Sequence, residues 1–296
     1  MKTKDVYQTV TNNILIAMEK GIIPWRKPFK SSFSPIPVNF STGKAYRGIN
    51  VFLLNMACFQ FGYPTNAWLT FNQARDLGGK VKKGQKSEIV LFWKPTLIHE
   101  QSASEDGELV EISKEVYIAR IYHVFNIEQC DGIKNEAIAQ SPLPRIESCE
   151  QVYTNYPEIK PEINLGLGAM YIPKLDQIRI PAMVDFISTS DYYAILFHEL
   201  VHSTGHITRL NREGIVAAQR SDLIRYSKEE LIAEMGASFL CALTGIENVQ
   251  LTENSAAYVQ NWLEVFKQDK TMVIKAASQA QVAVDFISGM KIQSTI

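Results

Sequence analysis

The sequence predicts an α+β fold in two domains, and three observations carry that prediction. A basic first third gives way to an acidic remainder. Helical and alternating apolar patterns follow one another with no internal repeat. An HExxH motif, Phe197-His198-Glu199-Leu200-Val201-His202, lies within an apolar helical stretch. The net charge of −1 hides the split: residues 1–94 hold 14 Lys or Arg against 4 Asp or Glu, and the remainder holds 16 against 27. Such a division reads as a basic binding domain joined to an acidic second domain.

The elements follow in order. Val6, Val10, Ile14, Ala17 and Met18 recur at helical spacing, and Gly21 is the stop. Pro24 to Pro37 reads as a loop. Ile49 to Phe61 is a more apolar helix closed by Gly62, and Thr70 with Gln73 makes a capping box for a third helix that stops at Gly78-Gly79. Strands Glu88 to Lys94 and Glu115 to Phe125 come next, joined by the acidic loop Glu100 to Glu111. The first domain is set at 1–130, a linker rich in turn residues at 131–146, and the second domain at 147–296. In that domain, strands Ala169 to Ile172 and Gln177 to Ile180 flank a turn at Pro173 to Asp176. Gly166-Leu167-Gly168 is too short a glycine pattern for a nucleotide site. Ser188 to Asp191 caps the HExxH helix, and Gly205 is expected to end it through a positive φ. Thr252 to Ile287 is helical, with Trp262, Leu263, Val265 and Phe266 packing onto the second domain.

The motif states a chemistry. Residues four apart share a helix face, so His198 and His202 can present two imidazoles to one ion, with Glu199 beside it as the proton acceptor. A zinc-like ion with three protein ligands and one open position brings the pKa of a bound water near neutrality. The longer metzincin pattern fails because position 208 is Thr, and His206 falls at the helix end. The third ligand is then a carboxylate from a following helix, the gluzincin arrangement. Ser227 and Glu230 form a capping box, which gives Glu230 a structural task. Glu234, one turn deeper among Leu231, Ile232, Ala233, Gly236, Ala237 and Phe239, is therefore the expected ligand, with Glu230 as the alternative. Gly236 and Ala237 also allow close approach to the first helix. Two histidines and a carboxylate suit zinc best and also accept manganese or another divalent ion.

Residues 1–94 hold 14 of the 30 aromatics, including three of the four tryptophans. Cations interleaved with rings suit single-stranded nucleic acid, where phosphates are tracked and unpaired bases stacked upon. The expected contact residues are Trp25, Arg26, Lys27, Lys44, Tyr46, Arg47, Trp68, Lys82, Lys83 and Lys86. Four cysteines with no CxxC pair, no signal peptide and no long apolar run point to a reducing cytoplasm and away from a membrane.

With both halves in view, the chain resembles the ArdC-type antirestriction proteins carried by conjugative plasmids. The resemblance rests on Ile23-Pro24-Trp25, Tyr46-Arg47-Gly48-Ile49-Asn50, Trp68-Leu69-Thr70-Phe71 and Val124-Phe125-Asn126 in the first half. In the second it rests on Tyr171-Ile172-Pro173, His198 to His206, and Glu230 to Ala237. It implies a single-stranded-DNA-binding domain followed by a zincin-like metallopeptidase domain that protects incoming plasmid DNA from host restriction. It also carries over His198, His202 and Glu234 as ligands and Glu199 as the catalytic carboxylate. The expected partners are single-stranded DNA and a host protein as substrate, and the same layout would serve a DNA-dependent protease acting on DNA-bound or DNA-crosslinked proteins. It would also serve a DNA-binding protein with a purely structural metal.

Overall fold

Apolar side chains at helical spacing set the first element. In the computed structural model, which describes residues 3–20, 22–25, 36–103, 109–133, 145–157, 159–216, 223–246 and 255–290, α1 spans Thr3–Glu19. Val6, Val10, Ile14 and Met18 are all buried along it. Arg26, Lys27, the expected stop at Gly21 and most of the expected linker lie outside the described residues.

The first domain continues with β1 (Val38–Asn39), α2 (Ile49–Phe61), β2 (Ala67–Leu69), α3 (Phe71–Asp76) and β3 (Lys80–Val81). Then come β4 (Glu88–Ala103), β5 (Leu109–Asn126) and β6 (Cys130–Asp131). Gly62 closes α2 in the left-handed region that glycine permits, and the Thr70–Gln73 capping box opens α3. The main sheet has the order β1-β2-β5-β4, and β3 pairs with β6. The acidic stretch expected as a loop is largely strand: β4 and β5 pair antiparallel from Glu88↔Val124 to Ala103↔Leu109 without interruption. Once a hairpin register is set, each further pair adds its hydrogen bonds to the ladder, so low hydrophobicity alone does not end it.

The second domain comprises α4 (Arg145–Thr154), β7 (Glu162–Leu165), β8 (Met170–Ile172), β9 (Gln177–Ile180), α5 (Thr189–Thr204), α6 (Glu213–Val216), α7 (Leu223–Thr244), α8 (Ser255–Gln268) and α9 (Met272–Ile287). Its sheet has the order β7-β9-β8, with β8 antiparallel to β9. Ser188 caps α5 by accepting from the Asp191 amide. Gly205 ends that helix with φ −74°, so positive φ is not its reason. A Cβ there would stand 2.6 Å from Ile215 Cγ1, and the position is small because the chain after α5 folds back against it.

One apolar core runs through both domains. Trp25 is 1% exposed and packs edge-on against Trp262 at 5.5 Å between ring centroids, and against Phe52 and Phe266. Phe52 of α2 stacks on Phe239 of α7 at 4.8 Å. Polar ties join the same faces: Arg47 pairs with the buried Asp285, the Gly48 amide donates to Gln281 Oε1 at 3.1 Å, and Thr11 donates to the Lys270 carbonyl at 2.7 Å. No helix among the described residues is long and apolar enough to cross a membrane, and all four cysteines are buried and free.

Trp25→Ala is expected to cost about 3–5 kcal/mol, the usual range for emptying a buried aromatic site. Urea unfolding checks this: a large fall in midpoint is expected, and an unchanged midpoint would show that the interface does not depend on the ring.

Candidate metal centre

The HExxH residues lie in the middle of α5, where the buried Leu196, Phe197, Leu200 and Val201 hold the helix in the core. This fixes the faces on which His198, Glu199 and His202 emerge, and all three are largely buried. The His198 and His202 Nε2 atoms lie 3.0 Å apart. The facing carboxylate belongs to Glu230, whose oxygens lie 3.4 Å from each of those nitrogens. Two donors each bonded to one tetrahedral ion stand about 3.3 Å apart, so this spacing fits a shared cation. Among the described residues, His198, His202 and Glu230 are the group whose ligand atoms gather within 4.8 Å of one another.

The structure brings Glu230, the alternative, to the histidines in place of Glu234. α7 begins at Leu223, four residues before Ser227, so Ser227 is already inside the helix and makes no N-terminal cap with Glu230. Freed of that task, the Glu230 side chain faces α5. Glu234 is buried one turn on, about 6 Å along the axis, and does not join the donor group.

The electrostatics suit a cation. Burial opposes charge on either imidazole, but the Glu230 carboxylate outweighs it and raises the proton affinity of His198 and His202, with Glu199 adding to the pull. Burial likewise pushes the Glu230 carboxyl up, and the two histidines reverse this and hold it far below the usual range. A divalent ion would take the place of the proton that this site attracts.

A supporting layer was not foreseen from sequence. Glu229 reaches His202 Nδ1 at 3.4 Å and accepts from Arg212 Nε and Nη2, at 3.0 Å and 2.6 Å for the shortest contacts. Arg212 also donates to Thr204 Oγ1 and the Val201 carbonyl of α5. Burial raises the Glu229 carboxyl, while His202 and Arg212 outweigh that and keep it ionised. Arg209 ties the end of α5 to the β8–β9 turn by donating to the Ser203 carbonyl and pairing with Asp176. His206 lies past the helix end and bonds Thr208 Oγ1 at 2.8 Å.

Residues 4–125 match the model of the N-terminal domain of the anti-restriction factor ArdC, and residues 154–279 match that of a zincin-like metallopeptidase. The Sinorhizobium fredii protein y4eC is 32% identical over 286 residues, covering 96% of this chain and 91% of its own. The chain belongs to the ArdC antirestriction family. The metal-free crystal structure of the antirestriction ArdC protein from the R388 plasmid superimposes with TM-score 0.76 at 36% identity, over 97% of each chain. A Mn(II)-bound structure of that ArdC protein gives TM-score 0.76 at 34% identity, over 97% of this chain and 98% of the other. The Escherichia coli DNA primase TraC is 31% identical over 96% of this chain, which spans only 27% of that protein.

In the ArdC N-terminal domain, the rings expected to stack on bases are inside the protein. Trp25 lies in the interdomain core, Trp68 donates to Asn66 Oδ1 at 2.7 Å from a fully buried position, and Tyr46 is buried with its hydroxyl accepting from Asn39. Interleaving cations with rings describes composition, and composition does not separate a core ring from a surface one. Arg47 is taken up by Asp285, whereas Lys44, Lys82, Lys83 and Lys86 are exposed.

Glu229→Gln is expected to weaken metal binding about 10–100-fold, the usual effect of losing a partner that orients a ligand histidine. Chelator competition with the folded variant measures it, and wild-type affinity would remove Glu229 from that role.

Proposed function

We propose that this protein binds single-stranded DNA through its basic first domain, carries a metal-dependent peptidase site in its second, and protects incoming plasmid DNA from host restriction. The observation that carries the peptidase reading is the convergence of His198, His202 and Glu230 beside Glu199. A purely structural site has no use for Glu199, which ligates nothing in this grouping. Zinc is the ion the donor set suits best, and the Mn(II)-bound relative supports manganese as a second occupant.

When bound, the ion supplies Lewis-acid polarisation and a water of lowered pKa. The chain's own groups do the rest. His198, His202 and Glu230 would hold the ion, Glu229 would fix the plane of His202, and Glu199 would take the proton of the attacking water and deliver it to the leaving amine. β8 lies at an edge of its sheet and against α5, so an extended peptide adding to that edge would run across the HExxH helix. The substrate of this reading is a host protein. The setting is the recipient cytoplasm, in keeping with four unpaired thiols.

The DNA half of the reading is supported by the family, by the basic surplus of residues 1–94 and by the exposed lysines between β3 and β4. The match to part of a DNA primase is in keeping with a DNA-related role.

Plasmid transfer into restricting and non-restricting recipients tests the joint claim. Wild type is expected to protect only in the restricting host. Glu199→Ala, expressed equally and retaining its metal, is expected to lose that protection as its peptide hydrolysis falls about 10²–10⁴-fold. Equal protection by both proteins would assign the effect to DNA binding alone.

A further inference from the structure

We infer that one face of the β4–β5 hairpin is the surface on which single-stranded DNA lies, with Phe92 and Tyr122 stacking on bases and Lys94, Lys114 and Arg120 meeting phosphates. The inference rests on the DNA-binding reading above and names the site it left open.

The hairpin register carries the argument. Val90 pairs with Tyr122, Phe92 with Arg120, Lys94 with Ile118 and Ile98 with Lys114, in a ladder with no offset. Cross-strand partners share a face and successive residues alternate, so all five named side chains emerge on one side. Phe92 is 46% exposed and Tyr122 41%, with ring centroids 5.6 Å apart and edge to face. On the same face, buried Tyr46 lies 6.3 Å from Phe92 and joins the core of Leu54, Trp68, Val90 and Val124. That core borders the rings along the face and leaves them partly exposed, and all three cations are exposed.

The opposite face is the internal control. It packs Ile89, Leu91, Trp93, Ala119 and Ile121 against the main core. Between 88–99 and 113–124 it bears no Lys or Arg, and its exposed Leu97 and Tyr117 have only the acidic Glu115 among them. Exposed apolar side chains occur on both faces, but rings together with cations occur on one. That combination fits a polyanion with unpaired bases, because a duplex keeps its base faces inside the stack.

The face also runs into the basic loop read from sequence. Gln129 Nε2 donates to the Lys86 carbonyl at 2.9 Å and to Gln85 Oε1 at 3.0 Å, tying the segment after Lys82 and Lys83 to the base of the hairpin. From Glu88, where β4 begins, to Lys94 the strand rises about 20 Å, so the basic loop and the hairpin cations lie at the two ends of that stretch.

Fluorescence anisotropy of a labelled oligo-dT strand with the full-length protein tests the inference. Wild type is expected to bind oligo-dT over duplex. Phe92→Ala with Tyr122→Ala is expected to bind about 30-fold or more weaker, at one stacked base per ring. Phe92→Trp with Tyr122→Trp should retain binding, and Leu97→Ala with Tyr117→Ala on the other face should match wild type. If the alanine pair is poorly folded by circular dichroism, Lys94→Glu with Arg120→Glu decides in its place, since both side chains are exposed. Wild-type binding that survives in the folded alanine pair, or in the glutamate pair that stands in for it, or that falls equally on the opposite face, overturns the inference and leaves the DNA-binding reading standing. Failure of wild type itself to bind oligo-dT removes both.

Discussion

A position without a side chain on α7 sets how closely two helices can run, and the metal centre depends on that distance. A Cβ at Gly236 would stand 2.7 Å from Val201 Cγ2 and 3.0 Å from Val201 Cγ1. Real contacts are not that short, so any larger residue would force α5 and α7 apart. Val201 neighbours His202, and Gly236 lies less than two turns from Glu230. The same close approach that buries Val201 therefore brings an α7 carboxylate to the α5 imidazoles. Arg212 and Glu229 brace the junction, with one guanidinium reaching the Val201 carbonyl, the Thr204 hydroxyl and the Glu229 carboxylate. Leaving either member of that buried pair alone would cost several kcal/mol, so the brace is also a constraint on what the site tolerates.

The second domain is tied to the first by polar as well as apolar contacts. The segment Tyr46 to Asn50 distributes its residues over both domains: Tyr46 supports Phe92, Arg47 pairs with Asp285, and the Gly48 amide meets Gln281. Asn50 bonds both the amide and the carbonyl of Leu91, at 2.7 Å and 2.8 Å, and so occupies the outer edge of β4. This short motif thus links the hairpin to α9, and α9 packs on α7, which bears Glu230. The hairpin and the metal centre are parts of one packed body.

Much of this was legible in the sequence where a local rule decides the outcome. The α1 stripe, the Gly62 cap, the Thr70 capping box, the Ser188 cap and the close approach at Gly236 each follow from a few neighbouring residues. What was not legible depends on distant context. The Ser227–Glu230 pair looks like a helix start, but α7 begins at Leu223, and the carboxylate beside the histidines is that of Glu230 in place of Glu234. Trp25 and Trp68 look like stacking rings beside cations until the fold places them in cores. Phe92 and Tyr122 carried no mark in the linear chain, because only the register of β4 on β5 sets them on a face with Arg120. Arg212 and Glu229 each sit beside other polar or charged residues in the chain, and their meeting needs the turn through Gly205 and α6.

The central claim is that α5 and α7 build one cation site from His198, His202 and Glu230. A crystal of this protein grown with zinc, with anomalous data collected at the zinc edge, tests it most directly. The account predicts one peak with the two Nε2 atoms and a Glu230 oxygen at about 2.0–2.2 Å. A peak held by Glu234 in place of Glu230, or no zinc at the two histidines, would contradict it.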